Sequence, residues 1–390
     1  MKKLLVLILA GMMVFSLAAC GGDDKKDGKS DGVEAASFEE LKAEYQSKTP
    51  EDLISENIKD KTKPSAEEIA ALVKTGIYGE MSEKNIFEHN ITDEALRLLT
   101  DEDIDDAYAT SFYKDLIDSD DKLVKAYVYN CFADFIPLDD KELEDDLIEH
   151  VKSETDNVVI ACALNGLKNA LSERSEFADY AIECTQNEDP VIRYWAAMAI
   201  GFYRMEDNDK CVDALIPLMN DSDTEVAKMA CKEIGGFGNE KAVEPLSAVL
   251  ADEAKVDLHG SATDSLEDLW MGYPTYEGTS EAAYRAYMAY LNTDSENPDI
   301  PAWISVASMT NPGGKYEEWK ANSAYFNVTE VIATLTKIVG DAGVDDLTRS
   351  TAIQKIGAFG TVADLEALKA VVAGNESLIS DIDSAIAEKN

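Results

Sequence analysis

Histidine, serine and lysine side chains carry out most hydrolytic, metal and phosphate chemistry. The three histidines, His89, His150 and His259, do not form an HExxH motif or a His/Cys metal spacing. No GxSxG elbow occurs. The segment from Asn311 to Tyr316 (NPGGKY) lacks the P-loop spacing and its Ser or Thr. The sequence therefore predicts no catalytic residue, no cofactor and no metal ligand.

Two acidic runs, Asp101 to Asp106 (DEDIDD) and Asp118 to Asp121 (DSDD), offer carboxylates of the kind that bind calcium. An EF-hand loop needs Gly at its sixth position and Glu at its twelfth. Counted from Asp101, these positions hold Asp106 and Phe112, so the motif fails. We interpret both runs as solvated acidic surface.

The start of the chain carries a motif for covalent chemistry. Two lysines precede an uncharged apolar run from Leu4 to Ala19, which is shorter than the ~20 residues of a membrane span. The run is followed by a cysteine, in the tetrapeptide Leu17 to Cys20 (LAAC). This segment resembles the lipobox of bacterial lipoproteins, in which the cysteine is lipidated on sulfur and the peptide before it is removed. The alternative is an ordinary secretory signal that contains a cysteine.

The next residues fit a lipid anchor. Gly21 to Gly32 contains only Gly, Asp, Lys and Ser, a composition that buries nothing and predicts a flexible N-terminal tether. The resemblance implies a diacylglycerol on Cys20, whose two acyl chains bind a membrane stably. We therefore expect attachment to the cell membrane on its extracytoplasmic face. Gly21 and the tether composition favour a Gram-positive host.

The chain is strongly acidic. Its formal charge is −42, and removal of Lys2 and Lys3 with the leader makes it −44. Nucleic acid binding is excluded, because phosphates require a basic surface. A basic partner or divalent cations remain open, although a simply solvated surface explains the charge as well.

Five cysteines follow Cys20, an odd number that cannot all pair. The helical register described below places Cys162 and Cys231 on buried faces. We interpret these thiols as small core hydrophobes rather than as a disulfide framework or a metal site.

A unit of about 34 residues recurs along the chain. Each copy contains two helical patterns, and in one copy glycines between Gly235 and Gly238 separate them. Aspartates at matching places predict helix starts: Asp156, Asp189, Asp223 and Asp346. One apolar register position is spaced by 35, 33, 34 and 32 residues, at Val124, Val159, Ile192, Val226 and Leu258.

The third copy has the fullest pattern, with Asp189, Pro190, Ile192, Arg193, Ala196, Ala197, Ile200 and Gly201. This pattern resembles that of HEAT-repeat proteins. Arg349 matches the Arg position and Lys125 keeps its charge, whereas Ile160 and Ala227 depart from it. The resemblance implies an all-α fold, a right-handed α-solenoid of stacked helix pairs (a HEAT-like superhelix), which binds partners rather than catalyses.

The predicted organisation follows from these segments. The chain divides into a signal peptide (1–19), a disordered tether (20–36), an N-terminal helical cap (37–118), HEAT-like repeats (119–252), degenerate repeats with aromatic loops (253–343), and a last repeat with a capping helix (344–390).

Aromatic residues concentrate between residues 272 and 326. The spacing predicts a helix from Ser280 to Leu291, another near Ile300 to Thr310, and a loop from Asn311 to Tyr325. Tyr284, Tyr287 and Tyr290 have helical spacing and are interpreted as packing. Aromatics on loops bind sugars, peptides or proteins, and the candidate interaction residues here are Tyr273, Tyr276, Trp303, Trp319 and Tyr325.

The sequence favours a membrane-anchored scaffold that binds an unidentified protein or peptide. A second hypothesis is a lipoprotein that captures glycan or cell-wall fragments through the aromatic loops. An enzyme needs a polar constellation that the sequence does not offer.

Overall fold

The computed structural model describes most of the chain from Thr49 onwards. The described residues are 49–61, 64–65, 67–69, 71–72, 95, 116–120, 122–131, 141–203, 208–272, 277, 279–293 and 316–389. They fall in two compact units, Met1–Gly166 and Leu167–Asn390. The predicted signal peptide, the tether with Cys20, and most of the N-terminal cap lie outside the described residues.

All regular structure in the described ranges is helical. One helix, α4, crosses the boundary between the two units. The helices are α1 (Pro50–Asn57), α2 (Lys122–Cys131), α3 (Lys141–Ser153), α4 (Asn157–Ala170), α5 (Ser175–Cys184), α6 (Pro190–Phe202), α7 (Asp209–Leu218), α8 (Thr224–Glu233), α9 (Val243–Leu250), α10 (Val256–Met271), α11 (Glu281–Leu291), α12 (Tyr316–Asn322), α13 (Val328–Gly340), α14 (Asp346–Phe359), α15 (Val362–Val371) and α16 (Glu376–Lys389). No described helix is long and apolar enough to cross a membrane.

Aspartates start several of these helices, as predicted. The carboxylates of Asp156, Asp189 and Asp223 each accept a hydrogen bond at 3.0 Å from the backbone N–H two residues further on. These N–H groups have no partner within their own helix, so the cap stabilises the first turn. The prediction for Asp346 is wrong by one residue. The cap of α14 is Asp345, because its carboxylate is the one that accepts the backbone bonds.

The glycines between the two helices of a repeat end the first helix. After α8 the chain tightens into a 3-10 turn, Ile234–Phe237, and Gly238 follows with φ of 64°. Only glycine adopts this left-handed conformation without strain. The predicted break between the two helices of this repeat is confirmed.

In the second unit the first helices of successive repeats pack side by side. Helix α6 packs on α8, and α8 packs on α10, while α7 and α9 form the second layer against α8 and α10. The predicted register residues Ile192, Val226 and Leu258 are all buried in this stack. The predicted all-α solenoid of stacked helix pairs is confirmed.

Glycines allow the first helices to approach closely. A side chain at Gly201 would meet the side chain of Glu233, with a Cβ–Cβ distance of 2.7 Å, and one at Gly235 would lie 2.5 Å from the Cα of Ser265. The Ser265 hydroxyl accepts a hydrogen bond from the N–H of Gly235 at 3.1 Å. In both cases a glycine nine residues after one register residue contacts the residue that lies seven positions after the next register residue.

An equivalent pair of positions is coupled electrostatically further along the chain. Glu267 lies nine residues after Leu258, and Lys355 occupies the place on α14 that Glu233 holds on α8. Burial lowers the pKa of Lys355, and the negative charge of Glu267 opposes that change. Helix α14 thus places its lysine close to α10.

The first unit repeats the pattern on a smaller scale. Its register residues Val124 and Val159 are both buried. The Lys125 ammonium donates to Glu154 at 2.8 Å, and the Asn165 side chain donates to that of Asn130 at 2.6 Å. These bonds join α2 to the elements that follow it.

One loop prediction is wrong. The segment from Asn311 to Tyr325 contains α12, because a buried tryptophan in this helix packs into the core. The last described helix, α16, lies within the predicted C-terminal segment and buries Leu378 and Ile382. It packs against α14 and α15. The predicted helix near Ile300 to Thr310 lies outside the described residues.

Candidate interaction surface

A groove of about 200 Å³ opens where α7, α8 and α10 meet. Met219, Ala227 and Leu258 lie on its inner side and are buried. Polar groups stand around the opening, among them Asp221 and Asp257. The groove therefore combines an apolar floor with carboxylates at the rim, a combination suited to an amphipathic side chain.

An ion pair fixes one wall of the groove. The Arg193 guanidinium donates two hydrogen bonds to the Asp221 carboxylate, each of 2.7 Å. It also donates to the backbone carbonyls of Asn187 and Glu188 at 2.9 Å. Planar, bidentate pairs of this kind are the strong ones. The Arg193 hydrogen bonds hold the pKa of Asp221 below its usual range, so this carboxylate is ionised and rigid.

The opposite wall is formed by the entry into α10. The Asp252 carboxylate accepts a hydrogen bond from the N–H of Ala254 at 3.1 Å and turns the chain towards the helix. The Lys255 ammonium donates to the side chain of Asn220 across the opening. Asp257 projects from the first turn of α10 and is exposed. It is the rim carboxylate that is accessible to a partner.

His259 stabilises the start of α10 from its buried side. It is buried, and its Nε2 lies 3.1 Å from the carbonyl oxygen of Asp252. Since a carbonyl only accepts, Nε2 carries the proton. Nδ1 then accepts from the Tyr290 hydroxyl at 2.9 Å. Burial raises the pKa of Tyr290 to about 12, so the tyrosine remains a donor. His259 is a structural link between α10 and α11.

Lysines and aspartates on the second helices form rungs between repeats. The Lys210 ammonium lies 2.8 Å from the Asp179 carboxylate. Lys241 bridges two carboxylates of α7, Asp209 at 3.0 Å and Asp213 at 3.3 Å. These groups are largely exposed to solvent. Exposed ion pairs of this kind contribute little to stability. The charged side chains named here already have partners within the chain.

The aromatic residues of the interrupted region form a core. The aromatic cluster consists of Trp270, Tyr284, Tyr287, Trp319 and Phe326. The ring centroids of Trp270 and Trp319 are 5.6 Å apart, and those of Trp319 and Phe326 are 4.6 Å apart. Edge-to-face packing at such distances is favourable for aromatic rings. The cluster connects α10 and α11 with α12 and the start of α13.

Two predicted interaction residues belong to this core. Trp319 is fully buried, so its ring has no surface to offer a ligand and the prediction for it is wrong. Tyr325 is half-buried, and its hydroxyl donates to the carbonyl of Trp270. Tyrosines 284, 287 and 290 are buried as predicted. Tyr273, Tyr276 and Trp303 lie outside the described residues, so their roles stay predictions.

The cysteines and histidines add no reactive group to this surface. Cys162 and Cys231 are buried, as predicted, and so are Cys184 and Cys211, and none of these four thiols forms a disulfide. Burial raises the pKa of the Cys231 thiol to about 12 and that of Cys184 to about 11. Such thiols are inert near neutral pH. Among the described residues, no group of His, Cys, Asp and Glu could hold a metal ion.

Stacked helix pairs with one buried register residue per repeat define this part of the chain as an all-α solenoid. Residues 178–267 match the family model described as HEAT repeats. The chain therefore contains HEAT-like repeats, a fold typical of non-catalytic scaffolds that bind proteins. The match includes most of α10 and so runs past Asp252, where the sequence placed the end of the regular repeats.

A crystal structure of an engineered protein from the Northeast Structural Genomics Consortium is 14% identical, with a TM-score of 0.42, over 90% of this chain and 94% of that chain. A likeness of this size carries no argument about fold or function. The comparison with curated proteins found no match.

Sequence reasoning missed the groove and its rim. Asp221 and Asp257 lie far apart in sequence, and only the stacking of α8 on α10 brings them to one opening. The available signal was the register: Asp257 immediately precedes Leu258, and Asp221 precedes the cap of α8 by two residues. Both therefore had to lie at the same end of the stack.

Proposed function

We propose that this chain is a surface-tethered scaffold. A lipid on Cys20 holds it at the extracytoplasmic face of the cell membrane, and the HEAT-like stack binds a protein or peptide partner. The lipobox-like tetrapeptide ending at Cys20 and the tether after it support the anchor. The open groove between first helices supports the binding role.

The chemistry of the groove suggests what it accepts. Its apolar floor fits the methylene stem of a lysine or arginine, and the exposed carboxylate of Asp257 fits the cationic end. The net charge of −42 attracts a basic segment from a distance. The Lys255 ammonium at the same rim is already engaged by the side chain of Asn220. The partner is therefore a protein with a basic, extended segment.

Site-specific photo-crosslinking in cells tests the binding role. A photoreactive amino acid replaces Ala254 or Thr224, both exposed at the groove, in the full chain. The matched control replaces Glu244, which is exposed on α9. We expect one discrete adduct from the two groove positions and none from the control. Equal adducts from all three positions, or no adduct from the groove, would contradict the proposal.

Charge reversal tests the basic character of the partner. Asp257→Lys should abolish the groove adduct, because it places a second cation at the rim, whereas Asp257→Glu should retain it. Circular dichroism provides the control, since Asp257 is exposed and its replacement should leave the helix content unchanged. An adduct that survives Asp257→Lys would exclude a basic partner.

Fractionation tests the anchor independently. The full chain should sediment with membranes, and Cys20→Ala should release it or leave an unprocessed precursor. Metabolic labelling with a fatty acid should mark the parent chain and not the variant. Protease added to intact cells should digest the parent chain, because the proposal places it outside the membrane. A soluble, unlabelled parent chain would overturn this half of the proposal.

The same preparation separates the glycan hypothesis from the scaffold. A lipoprotein that captures cell-wall fragments through residues 272–326 should bind soluble muropeptides, with a change in tryptophan fluorescence. A protein scaffold should show the groove adduct and no response to muropeptides.

A further inference from the structure

The outer face of α6 is apolar. Val191, Tyr194, Met198 and Phe202 follow a helical spacing of three and four residues, so they lie in one stripe. Val191 and Phe202 are 37% and 36% exposed, among the most exposed large hydrophobic side chains in the described residues. Tyr194 and Met198 lie half-buried between them. These four residues are named the α6 stripe.

The neighbouring repeats show that the α6 stripe is not required by the fold. At the equivalent positions α8 carries Glu225, Lys228, Lys232 and Gly236, and α10 carries Asp257, Gly260, Asp264 and Asp268. On α14 the first and last positions are apolar, Leu347 and Ala358, with Ser350 and Gln354 between them. The solenoid stacks equally well with polar groups at these places. The apolar residues of α6 are therefore available for a contact outside the repeat.

Charges differ between the two ends of the stripe. Beside Val191 stand two exposed acids, Glu188 and Glu225. Beside Phe202 the Lys168 ammonium lies 5.5 Å from the ring centroid. Lys232 is exposed on α8 at the level of Met198. One end of the stripe is thus acidic and the other basic.

Two further charges lie close to the stripe and do not change this arrangement. Lys228 stands at its middle and pairs with Glu225 at 3.0 Å. Glu233 lies near the basic end but is buried against Gly201. Among the described residues, the exposed charges beside the stripe are then Glu188 and Glu225 at one end and Lys232 at the other, with the exposed Asp264 of α10 beyond Lys232.

We propose that the α6 stripe is a homodimer interface, in which a second copy of this chain packs its own α6 antiparallel against the first. A two-fold axis passes between Tyr194 and Met198 and brings Val191 of each copy to Phe202 of the other. The acidic end of each copy then meets the basic end of its partner. A two-fold interface requires a self-complementary patch, and the order acidic, apolar, basic along one helix meets that requirement. A different protein would need no such symmetry.

Cysteine crosslinking tests this arrangement on the full chain in membranes. Met198→Cys lies beside the axis, so a short bis-maleimide should join two copies into a band of twice the mass. The matched control is Ala248→Cys, exposed on α9 and away from the stripe. The native thiols at Cys162, Cys184, Cys211 and Cys231 are buried and should remain unreactive. Phe202→Glu should abolish the Met198→Cys dimer, since it places a charge in the apolar contact.

A charge exchange identifies the occupant. Glu225→Lys and Lys232→Glu should each weaken the dimer about five- to twenty-fold, because the axis uses every exposed pair twice. The double variant should restore crosslinking, which only a second copy with the same exchange can do. Equal dimer from Ala248→Cys, a Met198→Cys adduct with another protein, or no rescue by the double variant would overturn the proposal.

Discussion

Two regions of the second unit hold their helices together by different means. Between α6 and α10 the same small contact recurs, in which a glycine of one helix lies against Glu233 or Ser265 of the next. Around Trp270 a single cluster of large rings joins helices of unequal length. Repeated contacts spread stability evenly over many joints. The aromatic cluster concentrates it at one place, so changes there should have the largest effect.

The strongest test of this contrast is Trp319→Ala. Removal of a fully buried indole leaves a cavity among Trp270 and Phe326, and we expect a loss of about 3–5 kcal/mol in the free energy of unfolding. Urea unfolding followed by circular dichroism measures it. Trp319→Phe, which keeps a ring, should lose clearly less. A loss below about 1 kcal/mol in the free energy of unfolding would show that the aromatic cluster does not concentrate the stability of this region.

Next in size is Arg193→Met in the repeat region. It leaves the half-buried carboxylate of Asp221 without the two hydrogen bonds from Arg193, and we expect a loss of about 2–3 kcal/mol. A double-mutant cycle with Asp221→Asn separates the pair energy from the packing of the arginine stem. If the stability losses of the two single variants add up to that of the double variant, the coupling energy of the pair is zero.

The same pair predicts a pH dependence. The Arg193 hydrogen bonds lower the folded-state pKa of Asp221, so its contribution is present at neutral pH and is lost as the pH falls through that folded value. The stability difference between the parent chain and Arg193→Met should therefore shrink below pH ~4. Urea midpoints at pH 7 and pH 3 measure this. A difference that stays constant with pH would contradict the assignment.

Glycine-to-alanine substitutions test the contacts between the first helices with smaller expected effects. Gly235→Ala should destabilise by about 1–3 kcal/mol, because the new methyl lies 2.5 Å from Ser265. Gly260→Ala is the matched control: it lies within α10 and its methyl would meet no atom within 4 Å. This change should stabilise by about 0.5–1 kcal/mol. A lower thermal midpoint for Gly235→Ala together with a higher one for Gly260→Ala would support close helix packing at Gly235 and not at Gly260.

The smallest effect is expected at a helix cap. Asp223→Ala removes the acceptor for the first N–H groups of α8 and should lose about 1 kcal/mol. Asp223→Asn keeps an acceptor and should remain near the parent stability. If the Asn and Ala variants lose equally, the cap is not the source of the effect.

The periodic part of the fold was predictable from single residues. Ile192, Val226 and Leu258 were assigned to buried faces from spacing alone, and all three are buried. Spacing suffices because each repeat buries its apolar side against a copy of itself. The cap at Asp345 rather than Asp346 shows the limit of this reasoning. Either aspartate could cap, and only the backbone geometry decides between them.

The candidate sites were less predictable. Trp319 was expected on a loop because Gly313 and Gly314 precede it and the helical signal of α12 is short. Its burial depends on Trp270 and Phe326, which are distant in sequence. The α6 stripe contains ordinary helix residues and stands out only when equivalent positions of several repeats are compared. Contacts that occur once in a molecule leave no period to detect.

The meeting of Glu267 and Lys355 has a consequence for how this molecule could change over time. Three described helices intervene in sequence between α10 and α14, with α11 packed on α10 and α13 packed on α14, yet the charge of Glu267 on α10 still acts on Lys355 of α14. Exposed residues of α11 and α12, such as Glu281 and Glu317, can be exchanged without altering the spacing of the helices, whereas the buried rings of the aromatic cluster cannot. This makes the exposed side of α11 and α12 a place where new specificity can be acquired while the remainder of the scaffold stays as it is.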